Sequence, residues 1–100
     1  MPMQVQLMGF AWYRASEFDD FRTACTDKMA DSYEAWLPGA EKGFAEMSKK
    51  PGLKVQKVDM GLKDFLAWCE EQGLEPNGKA RTRYVNFRLK EMYDRGEIEL

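Results

Sequence analysis

The chain opens on an alternating pattern. From Gln4 to Tyr13, Val5 and Leu7 fall on one side and Gln4 and Gln6 on the other, before the run passes into Met8, Gly9, Phe10, Ala11 and Trp12. Period-two alternation followed by apolar residues of both parities predicts a strand covered on both faces for part of its length or lying centrally in its sheet; Gly9 inside it marks a bulge or a close backbone neighbour. The period then becomes helical. Ser16 stands three residues before Asp19, an acidic variant of the capping box, and Phe18, Phe21, Cys25 and Met29 form one stripe, so a helix is expected from about Glu17 to about Lys28. A second start signal, Asp31-Ser32-Tyr33-Glu34, precedes the stripe Tyr33, Trp36, Leu37, Ala40, Phe44 and Met47. Pro38 inside this stripe implies a kink or a helix that begins at Pro38. Lys49-Lys50-Pro51-Gly52 closes the first half with a turn.

The second half repeats the order. Leu53 to Met60 reads as a strand with Leu53 and Val55 on one face and Val58 and Met60 on the other; the change of phase puts Lys57 on an apolar face and suggests an edge or a bulge. Gly61 serves as an N-cap for a third helix carrying Leu62, Phe65, Leu66 and Cys69, which Gly73-Leu74 stops. After the Pro76-Asn77-Gly78 turn, a fourth helix is expected from about Lys79 to Asp94 with Tyr84, Val85, Leu89 and Met92 inward, and Gly96 ends it. The tail Glu97-Ile98-Glu99-Leu100 alternates and is a candidate third strand. The result is an α+β fold of order β-α-α-β-α-α, one small domain over residues 1–100 with helices packed on a small sheet. Two strands make a poor sheet, so either the tail pairs in or two chains combine their strands in a dimer. The matched spacings of Phe18, Phe21, Cys25 and Leu62, Phe65, Cys69 fit an internal duplication, as they fit any pair of amphipathic helices.

Composition narrows the chemistry. Fifteen Lys+Arg against seventeen Asp+Glu leave a net charge of −2, so the chain as a whole has no electrostatic pull toward polyanions, and a nucleic-acid contact would need a local patch. With no histidine and two distant cysteines, Cys25 and Cys69, neither a metal site nor a conventional catalytic triad is expected. Both cysteines occupy apolar helical positions and read as reduced core thiols, with a Cys25–Cys69 disulfide as the alternative. Gly39 and Gly43 lack the Gly-Lys-Ser/Thr of a phosphate loop. The acid pairs Asp19–Asp20 and Glu70–Glu71 are adjacent on helices and diverge. No cofactor and no catalytic residue is assigned; the remaining enzymatic idea, Cys69 as a thiolate, would require a basic partner from the fourth helix. No leader and no membrane-length apolar run is seen, so a cytoplasmic protein is expected.

The feature with most content is the basic fourth helix, residues 79–93. Lys79, Arg83, Asn86 and Lys90 follow helical spacing along one stripe, and Arg81 and Arg88 lie seven apart on a second stripe nearer the apolar face. Such a surface can neutralise phosphates; equally, its charges can pair with Glu70, Glu71, Glu75 and Glu91. The run from Phe65-Leu66-Ala67-Trp68 through Gly73-Leu74-Glu75-Pro76-Asn77 to Tyr84 resembles a segment in the N-terminal, core-binding domain of tyrosine recombinases, where a helix, a Gly-Leu-x-Pro-Asn turn and an Arg/Tyr-rich helix face DNA. That domain is all-helical and Gly78 stands where Thr or Ser is usual, so the likeness is one of turn chemistry and assigns no family. Two functions are expected. The first is a non-enzymatic interaction module binding a protein partner or a second copy of itself, suggested by Trp12, Tyr13, Trp36, Trp68, Tyr84, Tyr93 and seven methionines. The alternative is nucleic-acid binding through Lys79, Arg81, Arg83, Asn86, Arg88 and Lys90.

Overall fold

The computed structural model describes residues 5–99. Strand β1 (Gln6–Tyr13) leads through a 3-10 turn (Ala15–Glu17) into α1 (Phe18–Ala24) and α2 (Tyr33–Ser48); β2 (Leu53–Met60) then leads into α3 (Leu62–Gln72) and α4 (Gly78–Asp94). The two strands pair in parallel over eight residues, from Gln6 opposite Leu53 to Tyr13 opposite Met60, with no bulge. The tail does not add a strand across residues 97–99; instead Ile98 is buried as an anchor against the core, and Leu100, like Gln4, lies outside the described residues.

Helices cover both faces of this ribbon. On one face α2 brings Phe44 edge-on to Phe10, at 5.6 Å between ring centroids, and Trp36 edge-on to Trp12 at 5.3 Å. Lys57 shares this face because its ammonium sits 4.1 Å from the Trp12 ring centroid, a cation–π contact, so the apparent phase error in β2 needs neither a bulge nor a slipped register. The other face is closed by α4, which comes so near at Gly9 that an added Cβ would lie 2.6 Å from Val85 Cγ1. Glycine is required there by proximity. The core joins the layers through Phe21, stacked on Phe65 at 5.6 Å, and Phe65 in turn meets Tyr84 edge-on.

Local signals worked where local chemistry acts alone. Ser32 accepts the Ala35 N–H at 3.1 Å and starts α2, which continues unbroken past Pro38, so the helix does not begin at the proline. Asn77 accepts the Ala80 N–H at 2.9 Å and starts α4, while Gly73 (φ 68°) and Gly96 (φ 76°) adopt the left-handed conformation that ends α3 and α4. Helix α1 departs from expectation. It stops at Ala24, and Cys25 is extended, because Thr26 donates its N–H to the Pro76 carbonyl at 2.8 Å and Asp27 is held by α4. Ser16 does not cap it, and Glu17 instead accepts the Leu62 N–H at 3.1 Å, supplying for α3 the side-chain acceptor that its N-cap Gly61 lacks.

Candidate functional site

The two stripes of the basic helix have different fates. Arg81, only 13% exposed, forms a bidentate pair with Asp27: Nη1 to Oδ1 at 2.8 Å and Nη2 to Oδ2 at 2.7 Å. Burial opposes its charge, but the Asp27 bonds, with Tyr13 and Cys25 beside them, outweigh this and hold the guanidinium protonated; reciprocally the Arg81 bonds push the Asp27 carboxyl below its usual range. Arg88 donates to Glu91 one turn on, at 2.9 Å. Both inner-stripe arginines are therefore engaged within the fold. Their partners are not the acids of α3: among the described residues Glu70, Glu71 and Glu75 make no ion pair within 4 Å, although Glu91 does pair as expected. The outer stripe is exposed, and among the described residues Lys79, Arg83 and Lys90 have no carboxylate within 4 Å. The six residues thus do not form one surface.

Both thiols belong to the core. Cys25 and Cys69 are free and buried, so no disulfide links them, and burial pushes both thiols up. The arginine that α4 does bring to a cysteine is Arg81, which lies against Cys25 and not Cys69. Tyr13 is buried beside the same guanidinium, and its hydroxyl is raised by desolvation that Arg81 partly opposes. Among the described residues no three His, Cys, Asp or Glu side chains gather as metal ligands would, and no helix is long and apolar enough to cross a membrane.

What the sequence left unseen is the edge of β1. Gln6 takes its N–H to the Gly52 carbonyl at 2.8 Å, on the β2 side. Because N–H and C=O directions alternate along a strand, Gln6, Met8, Phe10 and Trp12 face β2, whereas the backbone of Leu7, Gly9 and Ala11 faces away. Those groups open onto a groove between β1 and α4. One part, about 370 Å³, is lined by Gly9, Ala11 and Tyr13 with Gly78, Arg81, Thr82, Val85 and Asn86. The next part, about 340 Å³, runs on past Asn86 to Leu7, Leu89, Lys90 and Tyr93. Since β1 and α4 run in opposite senses here, the groove follows most of the strand.

The two edges of the sheet are not alike. On β2 the outward-facing groups are those of Leu53, Val55, Lys57 and Asp59; Leu53 gives its N–H to Lys50, and the Lys57 carbonyl accepts the Gln56 side-chain amide at 2.9 Å. Lys54, Lys57 and Asp59 add charge along the strand. Such features block strand addition. Strand β1, QLMGFAWY, carries no charge and no proline. Of the aromatics singled out from the sequence, Tyr13 and Tyr84 are core, Trp36 and Trp68 pack at its margin and Trp12 packs edge-on to Trp36; Tyr93, half exposed, lines the groove.

No family model, curated protein or solved structure matches the chain. The site is therefore read from its own residues. The similarity of the α3–α4 turn to tyrosine recombinases goes no further than that turn, since here the hairpin closes one face of a parallel sheet.

Proposed function

We propose that this chain is a small non-enzymatic interaction module, acting in the cytoplasm, that takes an extended segment of a protein partner onto the open edge of β1. The observation that carries this reading is the contrast between the edges: β2 is capped and charged, while β1 turns the backbone groups of Leu7, Gly9 and Ala11, unpaired among the described residues, into a groove walled by α4. Main-chain pairing at such an edge supplies affinity, and pockets on alternate side chains supply selectivity. The test is selection of eight-residue peptides on the immobilised chain. Binders should be lost with Ala11→Pro, which removes an outward N–H and leaves the β2 ladder intact, and with Asn86→Trp, which fills the groove from the helix side. Binders indifferent to both changes would refute the reading.

A second reading is nucleic-acid binding, favoured by the exposed stripe of Lys79, Arg83, Asn86 and Lys90. It is the weaker one, because Arg81 and Arg88 are already paired and the net charge is −2. A mobility shift with single- or double-stranded nucleic acid that falls steeply with salt would favour it; no shift at low salt would eliminate it.

A further inference from the structure

The groove has a polarity that specifies its occupant. A strand added beside β1 would place alternate side chains on the two faces of the sheet. Those on one face would lie beneath α4, beside Asn86 and Lys90, which line the groove; Lys79 and Arg83 are exposed on the same outer stripe of the helix, beyond the groove lining. Arg81 contributes no binding charge here, because the Asp27 carboxylate already holds it through both Nη1 and Nη2. The stripe is positive, and among the described residues no carboxylate lies within 4 Å of its three cations. Side chains on the opposite face would adjoin the even-numbered residues of β1, where Met8 is 37% exposed beside Phe10.

We infer that the partner segment is an extended strand of alternating acidic and apolar residues, acids toward α4 and apolar groups toward Met8 and Phe10. This rests on the β1-edge reading and adds the chemistry of the occupant. A second copy of this chain fits less well. Antiparallel pairing of β1 with β1 of another copy would set both α4 helices on the same face of the joint sheet, with Lys90, Arg83 and Lys79 of each facing like charges across it. An acidic strand turns that repulsion into attraction and gains it where the cations are unpaired.

Three synthetic eight-residue peptides of alternating Val and Glu, Val and Gln, and Val and Lys, each capped at both ends, provide the test on the full chain. Affinity and the backbone amide shifts of Gly9, Ala11, Asn86 and Lys90 are followed together by NMR titration. The Val-Glu peptide is expected to bind about tenfold or more tightly than Val-Gln at low salt, and the margin should shrink as salt shortens the Debye length. The triple variant Lys79→Gln, Arg83→Gln, Lys90→Gln, altered only at exposed positions, should abolish the difference between those two peptides. Equal binding by all three peptides, or preference for Val-Lys, would overturn the acidic assignment while leaving edge docking intact. No shift at Gly9 and Ala11 with any peptide would overturn the docking site itself. Concentration-dependent dimers of the free chain that broaden those amides would overturn the inference in favour of a second copy.

Discussion

Arg81 and Asp27 are joined by two parallel hydrogen bonds, 2.8 and 2.7 Å long, that fasten the first turn of α4 to the loop after α1. Asp27 also sits against Gly78, where an added Cβ would lie 3.1 Å from its Oδ2. The pair thus fixes where α4 begins over the sheet, and with it the wall of the β1 groove. Its chemistry is structural: the carboxylate that orients Arg81 also removes it from the binding surface.

Removing one partner should be costly. Asp27→Asn leaves a guanidinium that is 13% exposed without its counter-charge, and a loss of about 1–3 kcal/mol in unfolding free energy is expected. Removing both with Arg81→Met and Asp27→Asn should cost less than the sum of the single changes. Urea melts of the four proteins measure that coupling, and additive losses would show that the pair is energetically idle.

The pH dependence follows from the same pair. Asp27 is depressed in the folded chain by its bonds to Arg81, so its contribution is present above the usual carboxylate value and is lost as pH falls through the lowered one. Stability should therefore drop below about pH 4. Asp27→Asn should flatten that slope. At the other end, burial raises Cys25 and Cys69, so their contribution is present below the usual thiol value and is lost as pH rises beyond about 8.5. Cys69→Ala should weaken this alkaline slope. Unfolding midpoints from acid to alkaline pH read both effects.

Gly9 tests the approach of α4 to the sheet. Gly9→Ala should destabilise by about 1–3 kcal/mol, because its methyl would meet Val85 Cγ1 at 2.6 Å and Leu89 Cδ2 at 3.4 Å. Val85→Ala on the same chain should recover part of that loss by vacating the nearest contact. If the double variant is as unstable as the sum of the singles, steric overlap with Val85 is not the cause.

Lys57 should be unusually hard to replace for an exposed strand lysine. With its ammonium 4.1 Å from the Trp12 centroid and 5.1 Å from that of Phe44, Lys57→Gln is expected to cost about 0.5–1 kcal/mol and to alter tryptophan emission. An unchanged spectrum and midpoint would mean that the cation–π contact contributes nothing.

Much of this fold is legible one residue at a time. Ser32, Asn77, Gly73 and Gly96 act on their own turns, and the elements they bound appear where the pattern places them. The sequence misleads where the competing partner is distant. The expected extension of α1 to Lys28 fails because Thr26 and Asp27 find Pro76 and Arg81, about fifty residues away, and Glu17 caps α3 in place of its own helix. The candidate stripe was half readable: helical spacing separates Arg81 and Arg88 from Lys79, Arg83, Asn86 and Lys90, but the pairing with Asp27 has no local signal. The open edge of β1 required the strand register and the Gln56 side-chain bond. Its trace in the sequence is the absence of charge between Gln6 and Tyr13, against three charges between Leu53 and Met60.

Residue-resolved amide exchange along β1 tests the docking edge most directly. In the free chain Met8, Phe10 and Trp12 should exchange slowly and Gly9 and Ala11 rapidly, and saturating Val-Glu peptide should slow Gly9 and Ala11 by about tenfold or more. Uniform protection of β1 without peptide, or unchanged exchange at Gly9 and Ala11 with the peptide bound, would contradict it.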